Sequence, residues 1–111
     1  MKITKRKKGD VTILDLDGKI LVGDGIDELR ETINEAINQG DNKLLLNFER
    51  VPYLDSTGLG EVVRSYTSVK SRGGQVKIVN LTDKVEDLLS VTKLITVFEI
   101  FDSEDGAVAS Y

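Results

Sequence analysis

Residues 43–63 read KLLLNFERVPYLDSTGLGEVV, and the reading of this stretch decides the fold. Lys43–Phe48 is a nearly continuous apolar run bounded by turn residues, which is how a central strand covered on both faces reads. From residue 57 onward apolar side chains return at helical spacing, at Leu59, Val62, Val63, Tyr66 and Val69, until Arg72-Gly73-Gly74 ends the pattern. A buried strand running into an amphipathic helix is a unit of an α/β sheet. Gly58 and Gly60 both fall in the opening turn of that helix, and each glycine inside a helix costs roughly 0.8–1 kcal/mol relative to alanine. Such a pair is expected where a backbone or ligand approaches closely, or where the helix sits tight against the sheet.

The same grammar extends in both directions. Residues 11–17, VTILDLD, read as a strand with one buried face, and Asp17-Gly18 as a turn. Ile20-Leu21-Val22 reads as a brief strand ending at Gly23. Asp24 is the expected N-cap of a helix through Asn38, with Ile26, Leu29, Ile33, Ala36 and Ile37 on one stripe. Downstream, 75–80 (QVKIVN) is a strand, Thr82 caps a helix carrying Val85, Leu88 and Leu89, 97–101 is a last short strand, and 103–110 a weak terminal helix. The expectation is one domain over residues 1–111: an α/β fold with a mixed central sheet of four to five strands and four helices.

Composition narrows the chemistry. With 40% apolar and 31% charged residues the chain reads as globular, not disordered. It has neither cysteine nor histidine, so disulfides, thiol catalysis and Ser–His hydrolysis are unavailable to it. No cofactor or metal is implied. The net charge of −4 weighs against direct nucleic-acid binding. The absence of a long apolar run weighs against a membrane span, and the basic start lacks a signal segment, which points to the cytoplasm. Lys2, Lys5, Arg6, Lys7 and Lys8 are expected on a solvated edge strand, where lysines discourage strand-to-strand pairing. The hydroxyl cluster Ser65, Thr67, Ser68 and Ser71 is expected on the solvated face of the second helix.

Asp55, Ser56 and Thr57 fall at a helix start beyond the carboxyl end of a strand, where α/β sheets gather their sites. Ser56 has two readings, helix cap or reactant. Asp55 has two as well: acceptor for loop N–H groups, or a group that positions the serine or touches a partner. A phosphate-binding loop is disfavoured because neither G-x-x-x-x-G-K-[ST] nor G-x-G-x-x-G is present. An aspartic-protease loop is disfavoured by the extra residue between Asp55 and Gly58.

Tyr53–Gly60, set between an L-L-L-x-F strand and an amphipathic helix, resembles the signature of STAS-domain anti-sigma factor antagonists. Asp15-x-x-Gly18-Lys19 and the stretch 72–81, RGGQVKIVNL, extend the resemblance over most of the chain. It implies a STAS-like fold and a regulator that is not itself an enzyme. Ser56 would be the phosphoacceptor, with Thr57 a lesser one. The implied partners are an anti-sigma factor that is also a serine kinase of the histidine-kinase-like ATPase type, and a metal-dependent serine phosphatase. Leu21, Asp24, Asp55, Ser56, Thr57, Gly58, Leu59 and Gly60 would form the partner surface, with Val22, Ile26 and 88–95 as further contact candidates. One departure from the family pattern is Leu21, which stands where many members carry an aspartate. The alternatives are a STAS module of another assembly, such as a stressosome or a lipid-transport system, or a small-ligand domain with its pocket beneath the 18–25 and 52–58 loops.

Overall fold

The computed structural model describes residues 1–111. The elements in chain order are β1 (Lys2–Lys8), β2 (Val11–Asp17), α1 (Ile26–Asn38), β3 (Lys43–Arg50), α2 (Ser56–Ser71), β4 (Gln75–Val79), α3 (Asp83–Val91), a short 3₁₀ turn (Leu94–Thr96), β5 (Glu99–Phe101) and α4 (Glu104–Ala109). They form a five-stranded sheet in the order β1-β2-β3-β4-β5. β1 runs antiparallel to β2, and every other neighbouring pair is parallel.

The apolar run of β3 divides between two cores. Leu44, Leu46 and Phe48 face the larger one, closed by Leu29 and Ile33 of α1, Leu59, Val62 and Val69 of α2, and Val85 and Leu89 of α3. Leu45 faces the other side, where it packs with Val11, Ile13, Val79 and Ala107 beneath α4. A strand buried on both faces has no polar alternation to show, which is why the run is continuous.

Four of the five basic residues of β1, all but Lys2, pair from this edge strand with carboxylates of the same chain. Lys5 and Lys7 reach Asp41, Arg6 spans Asp15 and Glu104, and Lys8 reaches Glu104 and Asp105. Exposed pairs of this kind contribute little each, but together they fasten the edge strand to α4 and to the loop after α1.

Several local expectations need correction. Ile20–Val22 is not a strand: Ile20 bridges to Leu54, Leu21 to Asp24 and Gly25, and Val22 lies in a turn. Asp24 does not cap α1. The cap position is Gly25, in the left-handed region at φ 103°, and no side chain bonds the helix start. A Cβ at residue 25 would lie 2.3 Å from the Lys19 carbonyl oxygen, so only glycine fits this entry. Thr82 precedes α3, but its hydroxyl donates to the Val51 carbonyl at 2.8 Å instead of capping the helix. Of the hydroxyl cluster on α2, Ser65 is fully buried, its Oγ donating to Glu61 at 3.3 Å.

Candidate functional site

The site is built where the loop after β2 is clipped to the loop after β3. Gly18 N–H donates to the Arg50 carbonyl (3.0 Å), Ile20 N–H to the Tyr53 carbonyl (3.2 Å), and Asp55 N–H to the Ile20 carbonyl (3.3 Å). The outer end of the first loop is a tight turn in which Leu21 and Asp24 exchange backbone hydrogen bonds of 2.7 and 2.9 Å. Val22, at the tip of that turn, is 67% exposed.

Asp55 joins the pieces. It is the N-cap of α2, with extended backbone, and its Oδ1 accepts the Gly58 N–H at 2.7 Å. Oδ2 reaches across to accept the Val22 N–H at 3.1 Å, and the backbone carbonyl accepts the Leu59 N–H at 2.8 Å. The capping role thus falls to Asp55, not to Ser56. These donors, the Gly58 amide foremost and then that of Val22, hold the Asp55 carboxyl below the usual carboxylate range. Because the folded-state value is depressed, the resulting stabilisation is complete above the unfolded value of about 3.9 and is lost as pH falls through the folded value. Asp55→Ala is therefore expected to lower the Tm at neutral pH, with the gap to wild type narrowing in strong acid. Thermal melts of the two proteins in both conditions check this.

Ser56 is the first residue of α2. It is exposed, and its hydroxyl has no hydrogen-bond partner in the chain. Thr57 is exposed beside it. Apart from the Asp55 cap, the first turn of α2 carries no acidic residue, so the positive end of the helix dipole is free to meet an added negative group.

The two glycines do different things. A Cβ on Gly58 would lie 1.9 Å from the Ile20 carbonyl oxygen and 2.9 Å from its carbon, so the close approach required here is that of the chain's own loop. Gly60 is exposed, and a Cβ there would meet nothing within 4 Å. Only Gly60 leaves room for something from outside.

Among the other expected partner residues, Leu59 is 8% exposed and packs in the core, while Gly58 is buried; both support the helix start from within. Leu21 is half-buried in the turn, and Asp24 keeps 60% of its side chain exposed. Tyr53, within the signature but not among the expected partner residues, is 47% exposed, and its carbonyl accepts the Ile20 N–H, a contact across the two loops that has no sequence signal. Clefts of 670, 450 and 400 Å³ take no lining residue from the 18–25 or 52–58 loops, so the pocket expected beneath them is not among these.

A mixed five-stranded sheet with an Asp-Ser-Thr-Gly-Leu-Gly turn opening its second helix defines a class, and residues 2–107 match the STAS domain family model; the chain belongs to that family. Its curated relatives include the anti-sigma-B factor antagonist of Bacillus subtilis, 35% identical over 80 residues that cover 72% of each protein. A Thermotoga neapolitana homologue of TM1081 is 39% identical over 75 residues, 68% of this chain and 66% of that protein. The crystal structure of TM1081 from Thermotoga maritima superposes with a TM-score of 0.89 at 29% identity, covering 97% of this chain and 92% of that one. No helix is long and apolar enough to cross a membrane.

Proposed function

We propose that this chain is an anti-sigma factor antagonist whose activity is switched at Ser56. In the unmodified state it binds an anti-sigma factor, itself a serine kinase of the histidine-kinase-like ATPase type, and so releases the sigma factor. The kinase transfers the γ-phosphoryl group of ATP to Ser56 Oγ, the hydroxyl proton leaves to a base on the kinase, and ADP departs. A metal-dependent serine phosphatase hydrolyses the phosphoester and restores binding. The chain works as a single cytoplasmic domain that binds no nucleic acid directly, and it is substrate and binder, not enzyme.

The observation that carries this reading is the placement of Ser56: an unpartnered, exposed hydroxyl on the first turn of α2, on backbone held firm by Asp55. A phosphate there adds about −1.5 to −2 charges beside a carboxylate that is ionised at neutral pH. The helix N-terminus accommodates that anion, so the fold tolerates the modification. A partner packed over the turn does not, because it must desolvate the new charge. Incubation with the cognate kinase and ATP, followed by mass-spectrometric mapping, is expected to place one phosphate on Ser56. Modification confined to Thr57 or to another residue would overturn the assignment.

A further inference from the structure

Glu61 is the only carboxylate among the buried residues, with 1% of its side chain exposed, and the switch described above makes no direct use of it. Its Oε1 accepts Arg30 Nε at 2.9 Å and lies 2.8 Å from Arg30 Nη2, so two nitrogens of a half-exposed α1 guanidinium converge on one buried oxygen. Its Oε2 accepts Arg64 Nε at 2.7 Å and Ser65 Oγ at 3.3 Å. Burying an ion pair is poor evidence of added stability, since desolvation offsets the attraction and an apolar replacement often serves as well. Arg64 Nη2 is moreover buried without a partner, a further penalty of the arrangement. What the network does supply is direction. One carboxylate oxygen takes the guanidinium of α1 and the other takes Arg64 of α2, so Glu61 ties the start of α2 to α1 by a charge-assisted contact.

That rotation matters most at the start of α2. Gly58 and Gly60 leave the first turn with little intrinsic helical preference, and Glu61 follows Gly60 directly. Asp55 holds the turn from the loop side, and the Arg30–Glu61 contact holds it from α1. Ser56 and Gly60 are four residues apart and share one helix face, while Glu61 is turned about 100° from Gly60. Locking Glu61 against α1 therefore sets the direction in which the Ser56 Cα–Cβ bond leaves the helix.

We infer that Glu61 is a positioning residue for phosphorylation of Ser56, acting through the rotation of α2 against α1. The inference rests on the phosphoacceptor role of Ser56. Glu61 is itself buried, so it offers the kinase no contact of its own and acts on Ser56 through the helix it anchors.

The test uses the full chain with the kinase that modifies it, in two variants: Glu61→Gln, and Arg30→Met/Glu61→Met, which replaces the contact with α1 by an apolar one and leaves Arg64 Nε and Ser65 Oγ without their Glu61 acceptor. The double variant is expected to melt below wild type yet stay folded at the assay temperature, with kcat for Ser56 phosphorylation lowered about tenfold, as a small misplacement of a reacting atom does. The KM for the chain is expected to stay within twofold. Hydrogen exchange of the Gly58–Gly60 amides is expected to speed up by a similar factor. Unchanged kcat and unchanged exchange in a folded double variant would overturn the inference, as would a rise in KM with kcat intact. If the wild-type chain is not modified at Ser56, the phosphoacceptor reading fails by itself, and the exchange rates alone decide whether Glu61 fixes the helix start.

Discussion

Ser56→Asp is expected to weaken binding to the anti-sigma factor about 30- to 150-fold, or roughly 2–3 kcal/mol, the scale for placing an unmatched charge in a packed interface. Ser56→Ala is expected to bind as the unmodified protein does and to stay bound in the presence of ATP. The contrast follows from geometry. Ser56 makes no hydrogen bond that either substitution would break, and its side chain is exposed, so neither variant should be unstable. The added carboxylate sits next to Asp55, whose own charge is held in place by the Gly58 and Val22 amides. The helix end can stabilise one more anion, so the penalty appears only when a partner covers it. Titration calorimetry with the purified anti-sigma factor separates the cases. Equal affinity of both variants and wild type would remove the switch.

The second large effect concerns stability. Gly58→Ala is expected to lower stability by about 3 kcal/mol or more, because backbone must move to admit the methyl group. The obstacle is the Ile20 carbonyl, with oxygen 1.9 Å and carbon 2.9 Å from where the Cβ would sit. That carbonyl also accepts the Asp55 N–H, so displacing it unclips the two loops. Gly60→Ala is expected to be neutral or to gain up to about 1 kcal/mol, since alanine is the better helix former and nothing stands within 4 Å. Urea denaturation of the two variants measures the difference. If both substitutions had the same small effect, the close packing of the loop after β2 on α2 would be contradicted.

Much of this architecture was legible in the amino-acid order. The continuous run at Leu44–Leu46 announced a strand with two buried faces, and the stripe from Ile26 to Ala36 announced α1, because side-chain period follows directly from backbone geometry. The turn at 55–57 was legible too: an acceptor is needed at the start of a helix, and Asp55 supplies it. What escaped depended on contacts distant in sequence. Gly25, not Asp24, takes the cap position of α1 because the Lys19 carbonyl crowds that position. Gly58 answers to Ile20, far away along the chain. Lys77 reads as a break in an apolar strand, yet it is 3% exposed, donating to the Ser110 carbonyl and hydroxyl at 2.9 and 2.8 Å. Glu61 and Ser65 read as polar helix positions and instead lie in the seam with α1. Periodicity tells which face of an element is buried, but not which element covers it or which charge waits there.

The most direct measurement compares one protein in two covalent states. Chain phosphorylated at Ser56 by its kinase, purified, and titrated into the anti-sigma factor is expected to bind at least about 30-fold more weakly than unmodified chain, and to regain full affinity after phosphatase treatment. The same affinity before and after modification would contradict the account.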